Sequence, residues 1–361
     1  MAYKKRTKKH LIKKRVAIVI FIAGLFVFLG VNFPFSGIIF EYLANSDEAP
    51  EKDIVHHIKT PDEVRGIYMT SWVASVKDMR DKLIKLVEDT ELNSMVIDIK
   101  DYTGKIAFLM KDPQIQEIGS SEDRVKNIKN FIEELHNKNI YIIGRIAVFQ
   151  DPHLSLKRPD LAVKKGDGIT NWKDYKGAAW LDMCSKEVWE YIIAIAREAE
   201  SVGFDELNFD YIRFPSDGNM NDIKYPHCDN TLTKPDLLEI FFYNLKKELG
   251  GLRVPISADL FGMVTTNTND LNIGQVLERA EPYFDYISPM VYPSHYFDNY
   301  NGFANPAAKP YEVVKISMDS AVARLLAASS SPLKLRPWLQ DFDLGANYDA
   351  AMIRKEKQAV Y

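Results

Sequence analysis

From Gly66 onward, short apolar segments and amphipathic segments take turns along the chain, and the connections between them are lopsided in length. The apolar segments are GIYMTSW (66–72), SMVIDIK (94–100), IYIIGRIAVF (140–149), LNFDYIRF (207–214), VPISADLF (254–261), DYISPMVY (285–292) and LRPWLQD (335–341). Between them, apolar residues recur near the helical period: Val76, Met79, Leu83, Leu86 and Val87; Val125, Ile128, Phe131, Ile132 and Leu135; Val188, Ile192, Ile195, Ala196 and Ala199; Leu238, Phe241, Phe242, Leu245 and Leu249. Strand alternating with helix gives a parallel sheet covered by helices. Helix-to-strand connections are very short, as at Glu91 to Asn93, at Asn139 and at Gly250 and Gly251, whereas strand-to-helix connections run long at 150–184, 215–234 and 293–310. That asymmetry belongs to a (β/α)8 TIM barrel, whose working loops gather at the C-terminal ends of the strands. No G-x-G-x-x-G or G-x-x-x-x-G-K-[ST] follows the first strand, which argues against a dinucleotide-binding or P-loop fold. Seven strand-helix units are countable, the last helix running from Tyr348 to Val360, so a barrel truncated after its seventh β/α unit is expected.

Ahead of the barrel, which we place at residues 65–361, the composition changes. Residues 1–15 hold eight basic side chains (Lys4, Lys5, Arg6, Lys8, Lys9, Lys13, Lys14 and Arg15) and no acid. Removing those eight from the 46 basic residues leaves 38 against 50 acids, and so acidic a body argues against a nucleic-acid partner. Residues 16–40 carry no charge, which is long enough to cross a bilayer as one N-terminal transmembrane helix, and the basic flank sets the N-terminus in the cytoplasm. An uncleaved signal anchor is the expectation, with the C-terminal domain outside the membrane; secretion after signal cleavage is the alternative. Residues 41–64 are polar without a period and read as a linker, in which His56 and His57 are taken as solvated. Cys184 and Cys228 sit in no metal-ligand spacing and read as structural or incidental.

The strand ends carry the chemistry. Asp210 lies in an otherwise largely apolar and aromatic run, where an acid is costly unless it is paired or used. Alternation along a strand puts Asn208 with Asp210 on one face and Ser257 with Asp259 on one face, so the two acids stand side by side if both faces point inward. Two carboxylates, one protonated and one ionised, are what glycoside hydrolysis requires. Asp341, at the end of the seventh segment, is a reserve candidate for the acid. Asp98, Lys100, Arg145 and Arg213 are further polar candidates at the strand ends, the three cations suited to keeping a carboxylate ionised. Trp72, Tyr292, His295, Trp338 and Gln340 complete the expected substrate-binding set, the aromatic rings offering flat faces to sugars. For any one of these acids a structural ion pair is the competing reading. Ser331 to Lys334 matches S-x-x-K but falls on a helix-to-strand connection, at the wrong end of a barrel.

The segments VIDIKDYTGKI, GRIAVFQDP, AAWLDM, GFDELNFDYIRFPSDG, ISADLFG, DYISPMVYPSHY and RPWLQDF occur in this order. Together they resemble the bacterial "putative glycosyl hydrolase" family, a TIM-barrel group of unknown specificity. The resemblance runs from about Arg65 to the C-terminus and implies a glycosidase-like barrel with Asp210 as a catalytic carboxylate. It names no substrate, and family members continue into a final Trp-containing strand.

The leading expectation is therefore a membrane-anchored extracytoplasmic glycoside hydrolase acting on a cell-envelope or extracellular polysaccharide through paired Asp carboxylates, with no cofactor and no metal. The alternative is a catalytically inactive carbohydrate-binding barrel, which the lack of any Glu at a strand end keeps open. A phosphodiesterase-like metal barrel ranks last, because the histidines sit in loops.

Overall fold

The computed structural model describes residues 55–361; the basic segment, the uncharged run and most of the linker lie outside the described residues. Among the described residues no helix is long and apolar enough to cross a membrane. Six parallel strands form one curled sheet in chain order: β1 (Gly66–Met69), β2 (Ser94–Lys100), β3 (Tyr141–Ala147), β4 (Glu206–Asp210), β5 (Ile256–Phe261) and β6 (Tyr286–Met290). The segment 335–341 adds only two parallel bridges to β6, Ile287 with Leu335 and Met290 with Trp338, in place of a full seventh strand. The curl brings the Tyr68 ring of β1 to 6.3 Å from that of Trp338, so the two ends of the sheet meet through side chains.

Six helices of ten or more residues cover the sheet: α1 (Lys77–Asp89), α2 (Ile128–Asn137), α3 (Lys186–Val202), α4 (Lys234–Leu249), α5 (Pro310–Ala327) and α6 (Ala350–Val360). The apolar stripes of α2, α3 and α4 are buried at every position named above. On α1 the buried face is Ile84 and Val87, while Met79 and Leu86 are exposed, so that stripe is rotated from the expected one. Between β5 and β6 the crossover is a four-residue helix, Leu277–Ala280, flanked by 3-10 turns at Gly262–Thr265 and Glu281–Tyr283, rather than a long helix.

Residues 55–64 are not a free linker. Ile58 and Val64 pack on Val96, Tyr141 and Ile143 inside the N-terminal end of the sheet. The Ile58 N–H donates to Asp205 Oδ1 at 2.7 Å, and the Thr60 hydroxyl lies 3.1 Å from that of Tyr141. His57 is correspondingly not solvated: it stands 3.4 Å from Glu200. Beneath the site the barrel interior is polar but paired, with Arg336 donating to Glu206 at 2.6 Å and the Tyr141 hydroxyl donating to the same Oε2 at 3.0 Å.

At the other end the two long connections after β3 and β4 are joined by a disulfide between Cys184 and Cys228. The sequence did not pair them because 44 residues separate them. Only the parallel packing of β3 beside β4 brings their following loops together.

Candidate active site

The ladder register decides which strand residues point inward. Asp98 on β2 pairs with Arg145 on β3, and Arg145 with Asn208 on β4, so these side chains form one layer inside the curl. Arg145 is its hub. Its Nη1 donates to Asp98 Oδ1 at 3.0 Å, its Nη2 to Asp210 Oδ2, and its Nε lies 3.7 Å from Asp259 Oδ2. One guanidinium thus serves three carboxylates, all nearly buried: Asp98 is 3% exposed, Asp210 6% and Asp259 1%. Burial works against the charge of Arg145, but Asp210 and Asp98 outweigh it and hold the group protonated.

Each acid has a different surrounding. The Tyr68 hydroxyl donates to Asp98 Oδ2 at 2.6 Å, yet burial still raises the Asp98 pKa above its ordinary value. Asp210 accepts from Arg145 and, through Oδ1, from the backbone N–H of Tyr211 at 2.5 Å. Tyr211 has φ +54°, a left-handed conformation unusual for a bulky residue, and it ends β4 immediately after the acid. Asp259 accepts at Oδ1 from Asn208 Nδ2 and from the Trp338 indole, each at 2.8 Å. Burial, then the Asp210 charge, push the Asp259 pKa up to about 8 against the opposing pull of Arg145 and these two donors.

The structure therefore brings together Asp98, Arg145, Asp210, Asp259 and Trp338, with Tyr292 in the same field: burial, then Asp259 and Asp210, raise its phenol pKa. Other expected residues stand elsewhere. Lys100 is fully buried in an ion pair with Asp151 at 2.9 Å, because the register between β2 and β3 shifts after Asp98 and carries Lys100 off the inner face. Asp341 is exposed, on the opposite side of its segment from buried Gln340. Gln340 itself is structural, accepting from Ser294 N–H at 3.1 Å and donating to Phe342 O at 2.9 Å. Trp72 lies on a short helix, Ser71–Ser75, 58% exposed, with the Arg124 guanidinium 3.9 Å from its ring centre. His295 is exposed and neighbours Tyr292 and Phe342, 5.2 and 6.1 Å between ring centres. Arg213 sits beside the hub among aromatic rings.

Sequence reasoning assigned no role to Tyr68, Asn208 or Tyr211, although alternation already placed Asn208 on the face of Asp210. It also passed over Glu356 on α6, a buried carboxyl that burial pushes up to about 8. Among the described residues, Asp182, Cys184 and Cys228 gather closely enough to hold a metal, but the two sulfurs are bonded to each other. A disulfide offers no thiolate to a cation.

Residues 66–361 match the family model described as "Putative glycosyl hydrolase domain". The chain belongs to this family. Among curated proteins, none matches it. Of solved structures, this glycosyl hydrolase-like domain is similar to a hypothetical protein from Ruminiclostridium thermocellum ATCC 27405, at 35% identity over 54% of this chain and 96% of the other, with TM-score 0.49. It is also similar to the PgaB (BpsB) glycoside hydrolase domain from Bordetella bronchiseptica, at 13% identity over 82% of this chain and 90% of that one, TM-score 0.53. At that identity the second likeness speaks for the fold of the glycosyl hydrolase-like domain.

Proposed function

We propose that the protein is a membrane-anchored, extracytoplasmic glycoside hydrolase that cleaves a cell-envelope or extracellular polysaccharide. The observation that carries this reading is the unequal treatment of two neighbouring acids by one arginine. Asp210 receives two N–H donors, from Arg145 and the Tyr211 backbone. Asp259 is held as the acid. Two neighbouring carboxyl groups in unlike surroundings, one of them kept protonated by burial, suit the division of labour in glycoside cleavage. Asp210 serves as nucleophile or as base for water, and Asp259 protonates the leaving oxygen. Asp98 and Tyr68 keep Arg145 in place. Trp338 and Tyr292 form walls for a sugar ring. The anchor rests on the basic head and the uncharged run at 16–40.

A second reading, a barrel that binds glycan without turnover, is favoured by one feature: Asp259 is 1% exposed and its Oδ1 is already engaged twice. Reducing-end release from purified cell-wall and capsular glycans separates the two. The parent protein should release ends and Asp210→Asn should not, while both bind. Binding without release by the folded parent would select the second reading.

A further inference from the structure

Three residues past Asp210, the side chain of Arg213 is walled by aromatic rings. Its guanidinium carbon lies 4.6 Å from the ring centre of Phe261, 4.9 Å from Trp180 and 5.6 Å from Tyr211. Its Nη1 donates to Phe214 O at 3.0 Å and to Ser216 Oγ at 3.2 Å, which leaves the Nε and Nη2 edge of the fork without an acceptor among the described residues. The contrast with the other inward guanidinium groups is sharp. Arg145 and Arg336 both meet carboxylates, whereas among the described residues Arg213 has none at ion-pair distance. Asp210, Asp217 and Asp174 act on it only from further away. Asp174 is otherwise occupied, accepting from the Trp180 indole and from the N–H groups of Lys176 and Ala178. Burial lowers the Arg213 pKa, the mark of a cation held without a full counterion.

Exposed Lys176, on the connection after β3, acts electrostatically on His295. The acids of the site would themselves repel an anionic ligand, in a protein of net negative charge, so an anion bound there needs the Arg213 cation. The open edge of a planar guanidinium matches a carboxylate with two parallel hydrogen bonds.

Resting on the hydrolase or glycan-binding reading of this site, we propose that Arg213 reads a sugar carboxylate. The substrate is then an acidic glycan whose uronic acid ring lies in the subsite beside Asp210. The aromatic walls exclude water from the pair and accept the apolar face of the ring.

The test uses the full chain with affinity electrophoresis through gels containing alginate, polygalacturonate or hyaluronate. The same polymers after carboxyl reduction, which leaves neutral hexoses, are the controls, and reducing-end release is followed in parallel. At least one native polymer should retard the parent with roughly 10- to 100-fold stronger affinity than its reduced form, the range of hydrogen bonds to a charged group. Arg213→Gln should abolish that difference, and Arg213→Lys, which keeps the charge but loses the fork, should keep part of it. Folding of each variant is checked by its thermal transition. Equal retention on native and reduced polymers, no retention on any of them, or a preference that survives in folded Arg213→Gln overturns the assignment. So does retention on a phosphate-substituted glycan but on no carboxylate polymer. Release from neutral glycans at an unchanged rate in Arg213→Gln would overturn it while leaving the hydrolase intact. Carboxyl-dependent retention without release from any glycan would keep it and remove the hydrolase.

Discussion

The indole N–H of Trp338 donates to Asp259 Oδ1 over 2.8 Å, tying the last bridged segment to β5. That bond favours the charged form of the acid. Replacing Trp338 with Phe removes the donor and keeps an aromatic wall, so Asp259 should hold its proton to higher pH. The alkaline limb of kcat/KM, expected near pH 8 from the Asp259 pKa, should move upward in Trp338→Phe. A limb that stays where it is in the variant would mean that another group titrates there.

Asp210→Asn and Asp259→Asn should each lose roughly 10²- to 10⁴-fold or more in turnover of a natural glycan. They should differ on aryl glycosides, whose leaving group needs no proton: Asp259→Asn recovers and Asp210→Asn does not. Rates with glycan and nitrophenyl glycoside, compared for the two variants, check this assignment.

Arg145→Met should destabilise the fold by about 3–5 kcal/mol at neutral pH, because Asp98 and Asp210 are left buried without their cation. Urea unfolding measures the loss. It should shrink in acid, where protonation neutralises the stranded carboxylates; an equal loss at all pH values would point to packing instead.

The burial of Asp259 also has a stability consequence. Its folded pKa of about 8 stands above the ordinary 3.8, so the folded protein binds the extra proton and stability falls as pH rises through that window. Glu356 acts in the same direction, while His57 and His295, whose pKa values are lowered, act in the opposite one. The parent and Asp259→Asn should therefore diverge in the slope of unfolding free energy against pH between acid pH and pH 8. Parallel slopes would show that Asp259 releases its proton at the ordinary value.

Removing the disulfide, by reduction or by Cys184→Ala with Cys228→Ala, should cost roughly 2–4 kcal/mol for a loop of this size. Denaturant midpoints with and without reductant measure it. The strand ladder itself should survive, because the cross-link joins loops rather than strands.

One dense apolar run was legible to the residue, SMVIDIK being β2 without adjustment, while IYIIGRIAVF overran β3 by one residue at its start and two at its end. LNFDYIRF was read four residues too long, because its apolar character continues past Asp210 while the left-handed turn at Tyr211 breaks the ladder. The same limit governs the site. Asp98, Arg145, Asp210 and Asp259 follow from alternation by two, which holds wherever the ladder is regular. Lys100 was misplaced because one register shift undoes that alternation, and no composition signal announces it. Asp341 was misplaced because its segment makes two bridges instead of a strand. The disulfide and the Arg145 hub depend on contacts across dozens of residues, which neither propensity nor period encodes.

The docking of residues 55–64 has a mechanical meaning. A pull arriving through Val55 would load the Ile58 to Asp205 and Thr60 to Tyr141 contacts, at the start of the strands. The carboxylates stand at the other ends of those strands. The chain thus enters the described domain at the end of the sheet farthest from the carboxylate cluster, and the two are joined only through the length of the strands.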